Sequence, residues 1–386
     1  MTLISMDRKK NWSNKEKLRF AILGAGNGGL AMAGHLAYLG FQVSLYNRTE
    51  EKLVAIQASG GVTLSGVIDG FGPLHLVTSD IAAALEGADV VMVVVPATGH
   101  LDLAEASAAY LQPGQIVVLN PGRTGGALEF LSVLQKQGVS PRVTVAEAQT
   151  LLYAARSNNP AQVTIYGIKN SVPVAAIPSH RTPMVLKALR TALPQFVPGD
   201  NVLKTSLDNI GAIFHPSLTI LNAGRIEATN GDFDFYMEGA TPSVAKVLEE
   251  LDTERIAVAA ALGIRAISAR NWLYMAYDAV GRNLHEAIHN NLGYKGIKAP
   301  PSLYSRYISE DVPMSLVPIA SMGDLLGVPT PTFKSMIHLG STLHGCDYWA
   351  MGRTVERMGL AGMGVADIRR FVLEGGPQWQ IENAKS

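Results

Sequence analysis

The segment LRFAILGAGNGGLAMAGHLAYLGFQVSLYN, residues 18–47, contains the strongest indication of the fold. Its pattern predicts an apolar strand, a glycine-rich turn, a helix of small residues and a second strand that begins at Phe41. The turn has the spacing Gly24-x-Gly26-x-x-Gly29. Between a strand and a helix, the first glycine allows the tight turn, the second lets the backbone approach a pyrophosphate, and the third allows close helix–strand packing. The alternative is a turn needed only for packing, but such a turn does not require a strand before the glycines, a helix after them and then a second strand. The segment therefore predicts a dinucleotide site at the N-terminus of the helix.

The end of the second strand distinguishes NAD from NADP. An NAD site usually has Asp or Glu there, about twenty residues after the glycines, to bind the ribose 2′-hydroxyl. This sequence has Asn47 and Arg48 instead, and an arginine can pair with a 2′-phosphate. NADP(H) is therefore favoured; NAD(H) is the alternative, since Glu50 or Glu51 could fold back, and Arg48 could also be a surface charge. The residues that we assign to the cofactor are Gly24, Gly26, Asn27, Gly28, Gly29, Asn47, Arg48, Pro96 and Ala97.

Strands and helices alternate as far as about residue 200. Apolar strands are predicted at 89–96, 115–122 and 142–148, and two further strands are VTIYGIK and VPVAAIP. A polar segment precedes Ser79, and PQFVPGDN (194–201) has the composition of a linker. Apolar strands that alternate with helices favour a parallel, doubly wound sheet.

The second half of the chain lacks strand patterns. Long helices are predicted at 242–262 and 270–287. The predicted fold class is therefore α/β, with a polar N-terminal arm (1–17), a Rossmann dinucleotide-binding domain (18–200) and an all-helical C-terminal domain (201–386).

The composition excludes several classes of protein. Hydrophobic residues make up 47% and charged residues 17%, which excludes disorder as the main state. The 32 basic and 32 acidic residues form no basic patch, so neither nucleic acid nor an anionic membrane is an expected partner. The single cysteine, Cys346, excludes an internal disulfide framework, and His285 and His289 lack an HExxH pattern, so no metal is assigned. No apolar leader or membrane-length stretch is present, which predicts a cytoplasmic protein.

Two segments of the second half contain candidate catalytic residues. NIGAIFHPSLTILNAGRIE places His215 on an apolar helical stretch, where a lone histidine is usually structural. RYISEDVPMSLVP offers Arg306 and Asp311 in a compact polar turn ahead of a helix, where the carboxylates of Glu310 and Asp311 could simply complement the helix N-terminus. Spacing alone does not bring these two segments together.

A resemblance does bring them together. In chain order, from about residue 19 to about residue 375, the sequence resembles the octopine/nopaline (opine) dehydrogenase family, and within it the bacterial N-(1-carboxyethyl)norvaline dehydrogenase type. The stretches that carry the resemblance are GAGNGG, VVVPATGH, NPGRTGG, AEAQTLLYAAR, the His215 segment, FYMEGATPSVAKVLEELDTERIAVA, RYISEDVPMSLVP and GRTVERMGL. The family's fold, a Rossmann domain followed by a helical domain, agrees with the pattern described above.

The resemblance implies an activity and a role for three residues. The activity is the reversible reductive condensation of an α-keto acid with an amino-acid amine; pyruvate is the expected keto acid, and 2-oxoglutarate and glyoxylate are the alternatives. His215 matches the family's catalytic histidine, Asp311 its partner aspartate, and Arg306 the arginine associated with the keto-acid carboxylate. The amine must lose a proton and the carbinolamine must lose water, and a histidine supported by a carboxylate can do both near neutral pH. A homodimer is the expected assembly.

Two other functions stay open from the sequence. One is a keto-acid or imine reductase on the same scaffold, and the other is a non-catalytic NADP(H)-binding redox sensor. A glycerol-phosphate reductase is disfavoured because LDNIGAIFH has Asp208 before Asn209, where related two-domain enzymes use lysine. Weaker site candidates, each equally explained by packing or surface polarity, are Asn120, Pro121, Gly122, Glu147, Gln149, Tyr236 and Glu238.

Overall fold

The computed structural model describes residues 18–140 and 142–376, so the polar arm predicted at 1–17 lies outside the described residues. The strands, in chain order, are β1 (Arg19–Leu23), β2 (Gln42–Tyr46), β3 (Gly61–Gly66), β4 (Gly70–Pro73), β5 (Leu76–Thr78), β6 (Val90–Val93), β7 (Ile116–Leu119), β8 (Thr144–Ala148), β9 (Tyr153–Asn159), β10 (Gln162–Ile168), β11 (Val172–Ile177) and β12 (Phe196–Pro198).

The helices lie between and after these strands. In chain order they are α1 (Asn27–Tyr38), α2 (Val54–Ser59), α3 (Ile81–Leu85), α4 (His100–Ala108), α5 (Gly126–Lys136), α6 (Thr182–Leu189), α7 (Val202–Leu207), α8 (Gly211–Leu221), α9 (Ala223–Thr229), α10 (Pro242–Ala261), α11 (Ala269–Tyr277), α12 (Leu284–His289), α13 (Arg306–Ser309), α14 (Val317–Leu326), α15 (Pro331–His344), α16 (Tyr348–Met351) and α17 (Val365–Glu374). A π-helical turn, Val312–Leu316, joins α13 to α14.

The main sheet has the strand order β12-β11-β8-β7-β6-β1-β2-β5. From β8 to β5 every pair is parallel, and β11 joins β8 in the antiparallel sense. The order reverses between β1 and β6, the switch point at which doubly wound sheets bind ligands outside the carboxyl ends of their strands. The predicted α/β class, with a Rossmann domain first and a helical domain second, is confirmed.

The two faces of the sheet belong to different cores. Alternate residues such as Phe20 and Ile22 face a core that includes α1, α6 and a second, four-stranded sheet ordered β4-β3-β10-β9. Their neighbours Ala21 and Leu23 face the other core, which includes α4 and α5 and continues into the helical half of the chain. Because a strand sends successive side chains to opposite faces, one short apolar strand serves both cores. The helical half is therefore packed directly against the dinucleotide-binding half.

Helices dominate the chain after β12. The described residues of this half have only an isolated bridge, between Asp234 and Lys298, outside helices, turns and loops. At its centre α8 packs against α10, α13 and α15, and the predicted helix at 242–262 is α10. None of the described helices combines the length and the apolarity that crossing a membrane requires.

Three local predictions are wrong. The polar segment before Ser79 contains β3, β4 and β5, and β3 is a strand because it pairs with β10, about a hundred residues away. The segment at 194–201 is only partly a linker, since β12 pairs with β11. The single helix at 270–287 is two helices, because Asp278 has a φ of 54° and Gly281 packs against the backbone of Ala287.

Candidate active site

The glycine-rich turn connects β1 to α1 at the switch point of the sheet. A Cβ on Gly24, which has a φ of 120°, would lie 2.4 Å from the carbonyl oxygen of Val94. A Cβ on Gly29 would lie only 1.7 Å from the carbonyl oxygen of Gly24. Gly26 differs, because its φ is −82° and no atom lies within 4 Å of where its Cβ would be. Packing therefore requires two of the glycines, and the space beside Gly26 suits an approaching ligand.

The N-terminus of α1 suits an anionic ligand. No side chain caps it and its first turn carries no acidic residue. The backbone N–H of Ala25 donates to Oδ1 of Asn47 (3.3 Å), which holds the turn against the end of β2. The side chain of Asn27 is directed towards β9, where its Oδ1 accepts from the N–H of Ser157 (3.0 Å). The side chain of Leu151 lies over Gly28. These residues fit the pyrophosphate of a dinucleotide at a helix N-terminus.

Arg48 extends from the end of β2 across the carboxyl edge of the sheet. Its Nη1 lies 3.1 Å from Oδ2 of Asp102 on α4, and both side chains are mostly exposed, at 77% and 60%. A solvent-exposed pair of this kind contributes little to stability and exchanges partners easily. Arg48 is therefore accessible to a phosphate, with Asp102 as its competitor.

His215 and Asp311 meet in the helical half, 96 residues apart in sequence. Nδ1 of His215 on α8 lies 3.0 Å from Oδ2 of Asp311. Asp311 is buried at 1% exposure, whereas His215 is 23% exposed. The predicted polar turn is partly helical: α13 is a short helix that ends at Ser309, Glu310 forms a turn, and Asp311 directly precedes the π-helical turn. With Nδ1–H donating to Asp311, Nε2 of His215 is the nitrogen available to a substrate.

Arg123 is a member of this site that the sequence analysis did not identify. It follows the carboxyl end of β7 and reaches the helical half, where its Nη1 lies 3.3 Å from Oδ1 of Asp311 and its Nε 3.4 Å from Oε1 of Glu310. A Cβ on Gly211 would lie 3.2 Å from Nη1 of Arg123 and 3.4 Å from Cε1 of His215, so both groups converge on that glycine. The available signal was a long basic side chain among the glycines of NPGRTGG, directly after a buried strand.

Electrostatics keep Asp311 ionised. Burial raises the pKa of this carboxyl, but the positive charge of Arg123 and the hydrogen bond with His215 outweigh burial, so the pKa lies below its usual range. An ionised carboxylate in this position fixes the imidazole tautomer and stabilises an imidazolium.

Tyr307 covers one face of the imidazole. The two rings are stacked with centroids 4.5 Å apart and an angle of 16° between their planes. Phe235 stacks on Tyr307 in turn, at 5.5 Å. Between Asp311 at its edge and Tyr307 on its face, His215 has a single favoured orientation. We refer to Arg123, His215, Tyr307, Glu310 and Asp311 as the His215 cluster.

Arg306 lies beside this cluster and differs from Arg123. It is the first residue of α13, it is exposed, and its guanidinium makes no ion pair with any described residue. It is close enough to contribute to the electrostatic environment of both Tyr307 and Asp311. Arg306 is thus available to an incoming carboxylate, whereas Arg123 is already paired.

The loop after β6 links the two halves of the site. The N–H of Ala97 donates to Oε1 of Glu310 (3.1 Å), and its carbonyl accepts from Nη2 of Arg353 (3.3 Å). Arg353 is fully buried and pairs with Glu129 at 2.7 Å. Pro96 is exposed at the start of the same loop. The helical half therefore holds the backbone of Ala97, a residue that we assigned to the cofactor from the sequence.

Three of the weaker candidates have structural explanations. Glu147 is completely buried, and its Oε1 accepts from Thr205 (2.6 Å) and Ser206 (2.9 Å) of α7. Burial raises the pKa of Glu147 and the hydrogen bonds only partly oppose the effect. Gln149 donates to a backbone carbonyl, and Glu238 is an exposed partner of Arg225. In the described part of the chain, no group of three His, Cys, Asp or Glu side chains could hold a metal ion.

Comparisons with known proteins show the family and the fold. Residues 19–121 match the model for the NAD-binding domain of 6-phosphogluconate dehydrogenase, and residues 198–344 match the model for the α-helical domain of NAD/NADP octopine/nopaline dehydrogenases. The opine dehydrogenase of Arthrobacter sp. (strain 1C) is 40% identical over 358 residues, which cover 92% of this chain and 99% of the relative. The chain belongs to the opine dehydrogenase family. The resemblance on which the sequence analysis relied is confirmed.

Solved structures share the fold of this opine dehydrogenase. An octopine dehydrogenase with NADH and L-arginine superposes with a TM-score of 0.77 at 22% identity, over 89% of this chain and 96% of the other. The same kind of enzyme with NADH and pyruvate gives 0.74 over the same shares. A yersinopine dehydrogenase with NADP+ bound gives 0.72 at 16% identity, over 95% and 99%. The protein is thus an oxidoreductase of a family that acts on the CH–NH bond, with an NAD(P)-binding domain.

Proposed function

We propose that this opine dehydrogenase joins an α-keto acid, pyruvate by preference, to the amine of an amino acid and reduces the resulting imine, reversibly. Keto acid, amine, reduced cofactor and one proton give a secondary amine dicarboxylate, oxidised cofactor and water. The single observation that carries this proposal is the His215–Asp311 pair, with Nδ1 held at 3.0 Å and Nε2 left for a substrate. The octopine dehydrogenase that shares the fold binds pyruvate and L-arginine, which are an α-keto acid and an amino acid.

His215 does the proton transfers. Its Nε2 takes a proton from the amine, which then attacks the keto carbon, and later gives that proton to the carbinolamine hydroxyl, which leaves as water. Asp311 stabilises the imidazolium between these two steps, and Tyr307 keeps the ring in position. Arg306 binds the keto-acid carboxylate and so orients the carbon that is reduced.

The first half of the chain holds the cofactor. When bound, a reduced nicotinamide supplies the hydride for the imine carbon. The turn residues Gly24, Gly26, Gly28 and Gly29 accommodate the pyrophosphate, with Asn27 and Asn47 fixing the turn rather than facing it. Arg48 supports a preference for NADP(H), because its only ion-pair partner within the described residues is the exposed Asp102. Pro96 and Ala97 border the cofactor on the side of the helical half.

The domain boundary and the assembly predicted from the sequence are part of the same proposal. We place the division between the cofactor domain and the catalytic domain at residue 200, between β12 and α7. A homodimer in the cytoplasm stays our expectation, and light scattering with size exclusion tests the assembly.

A panel of keto acid and amino acid pairs tests this proposal. Each pair is incubated with NADPH, and mass spectrometry identifies the product. We expect a secondary amine dicarboxylate that forms only when both substrates are present. A simple hydroxy acid as the main product would mean a keto-acid reductase, free alanine from ammonia and pyruvate would mean an amino-acid dehydrogenase, and no turnover with any pair would favour a redox sensor.

A further inference from the structure

Arg123 occupies an unusual backbone conformation. Its φ of 58° lies in the left-handed region, which residues other than Gly, Asn and Asp seldom adopt. The buried Arg353 holds the peptide groups on both sides, because its Nη1 donates to the carbonyls of Gly122 (3.4 Å) and Thr124 (2.9 Å). Unfavourable conformations of this kind persist where the surroundings enforce them. The fold therefore fixes the direction of the Arg123 side chain.

That direction leads to two adjacent carboxylates of the other half. Arg123 is 14% exposed, Glu310 6% and Asp311 1%, so all three charges are largely removed from water. Two neighbouring buried carboxylates cannot both stay ionised without a cation close by. Burial lowers the pKa of Arg123, but Asp311 and Glu310 more than offset burial and raise the pKa, so the guanidinium is a permanent charge.

The charges of the cluster balance around His215. With a neutral imidazole, Arg123, Glu310 and Asp311 sum to one negative charge, and an imidazolium brings the sum to zero. The groups that face Asp311 from the neighbouring elements are Arg123, His215, Tyr236, Arg306, Tyr307 and Glu310. Among these, Arg306 is exposed, and we have assigned it to the substrate carboxylate. Arg123 is thus the cation that compensates Asp311 throughout the reaction.

We propose that Arg123 is a positioning residue that keeps Asp311 ionised and thereby makes the acid–base work of His215 depend on contact between the two halves of the chain. Arg123 comes from the cofactor half, whereas His215 and Asp311 come from the helical half. Glu310 strengthens the same contact, since its Oε1 also accepts from the N–H of Ala97. When the halves separate, Asp311 loses its cation and takes up a proton more readily, and His215 loses its anionic partner. This inference rests on the proposed roles of His215 and Asp311.

The sign of the expected pH effect follows from Asp311. Its pKa is held below the usual range against the effect of burial, chiefly by Arg123. A carboxyl with a lowered pKa stays ionised until the medium is strongly acidic. Replacing Arg123 by a neutral residue raises that pKa, so Asp311 is protonated, and catalysis is lost, at a higher pH.

The test is kcat/KM for the keto acid as a function of pH. In Arg123→Gln, the loss of activity on acidification should begin about one to two pH units above that of the wild type. Arg123→Lys keeps the charge and should restore most of the wild-type profile. Arg357→Gln is the matched control, since Arg357 also joins the two halves, through Glu129, but does not contact the His215 cluster. Ionisation of the amine substrate is common to all variants and cancels in the comparison.

Two further variants show whether Arg123 acts through Asp311. In an Asp311→Asn background, Arg123→Gln should move the profile no further, because the group it acts on is gone. The charge-balanced double variant Arg123→Gln/Glu310→Gln should have a pH profile between those of Arg123→Gln and the wild type. This double variant also keeps the inference testable if Arg123→Gln alone does not fold. Circular dichroism and NADPH fluorescence verify the fold and cofactor binding of each variant.

Distinct results would overturn distinct claims. If Arg123→Gln raises the KM of the keto acid without moving the profile, Arg123 binds substrate and this inference is wrong. The inference is equally wrong if Arg123→Gln still shifts the pH profile in the Asp311→Asn background. It is also wrong if the pH profile of Arg123→Gln/Glu310→Gln is no closer to that of the wild type than the profile of Arg123→Gln. If Asp311→Asn itself keeps wild-type rates at every pH, the proposed function loses its acid–base pair.

Discussion

The glycine turn and the His215 cluster are built in opposite ways. The turn is six consecutive residues, 24–29, whose requirements come mainly from their own backbone and from Val94 and Val95, just after β6. The cluster joins three segments that are separated by about ninety residues or more, from both halves of the chain. A contiguous site depends on local sterics, whereas an assembled site depends on how the two halves pack. Substitutions in the two regions should therefore fail in different ways.

The largest expected effect is in the assembled site. His215→Ala should lower kcat by roughly two to four orders of magnitude, the range for a positioned general acid–base. NADPH binding should hardly change, because we assign the phosphate and ribose contacts to the other half. Stopped-flow turnover together with fluorescence titration of NADPH separates the two effects. A variant that loses cofactor binding as severely as turnover would show that the regions are not independent.

The glycine turn offers a matched pair of substitutions. Gly26→Ala has open space and an ordinary φ, so the free protein should keep its melting temperature while the Kd of the cofactor rises about tenfold or more. Gly29→Ala would place a Cβ 1.7 Å from a backbone oxygen, so the free protein itself should be destabilised. Differential scanning fluorimetry and cofactor titration distinguish these outcomes. Equal melting temperatures for the two variants would contradict the account of the turn.

Arg48 tests the cofactor preference at the edge of the turn. The wild type should have a higher kcat/KM with NADPH than with NADH, and Arg48→Asp should flatten or reverse this ratio because a carboxylate repels the 2′-phosphate and accepts from the 2′-hydroxyl. Asp102→Asn removes the competitor of Arg48 and should raise the preference for NADPH severalfold at low salt. A wild type that prefers NADH tenfold would show that Arg48 does not face the ribose.

Among the residues that we assign to the substrate, Arg306 should have the smallest effect. Arg306→Lys keeps the charge but loses the planar fork, so the KM of the keto acid should rise roughly tenfold and more than the KM of the amine. Initial rates with each substrate varied in turn give both constants. An equal rise in both would indicate a general disturbance of α13 rather than a carboxylate contact.

The same contrast explains what could be predicted from the sequence. The turn, its strands and α1 follow from residues that are neighbours in the chain, so the pattern of 18–47 was sufficient. β3 could not be predicted in this way, because only Val62 and Leu64 give it an apolar face, glycines stand at both of its ends, and it is stabilised by pairing with the distant β10. The break near Asp278 left a weak signal, since Gly281 and the N-cap Asn283 follow it.

The candidate site was only partly accessible from the sequence. His215, Arg306 and Asp311 were candidates from their own segments, but only the resemblance joined them, because no spacing rule connects residues 96 positions apart. Arg123 did not enter at all, since its role depends on the side chains of Glu310 and Asp311 in the other half. Its one local signal, a basic side chain within NPGRTGG directly after a buried strand, does not reveal these partners. The roles of all these residues remain predictions for mutagenesis.

The most direct test of the account is a double-variant cycle on His215 and Asp311. If the two side chains work as one unit, His215→Ala/Asp311→Asn should have a kcat little lower than that of His215→Ala alone, although Asp311→Asn by itself is impaired. Melting temperatures of the four proteins verify that the comparison is made between folded enzymes. Losses in kcat that multiply fully would show that His215 and Asp311 act separately, and the proposed acid–base pair would have to be abandoned.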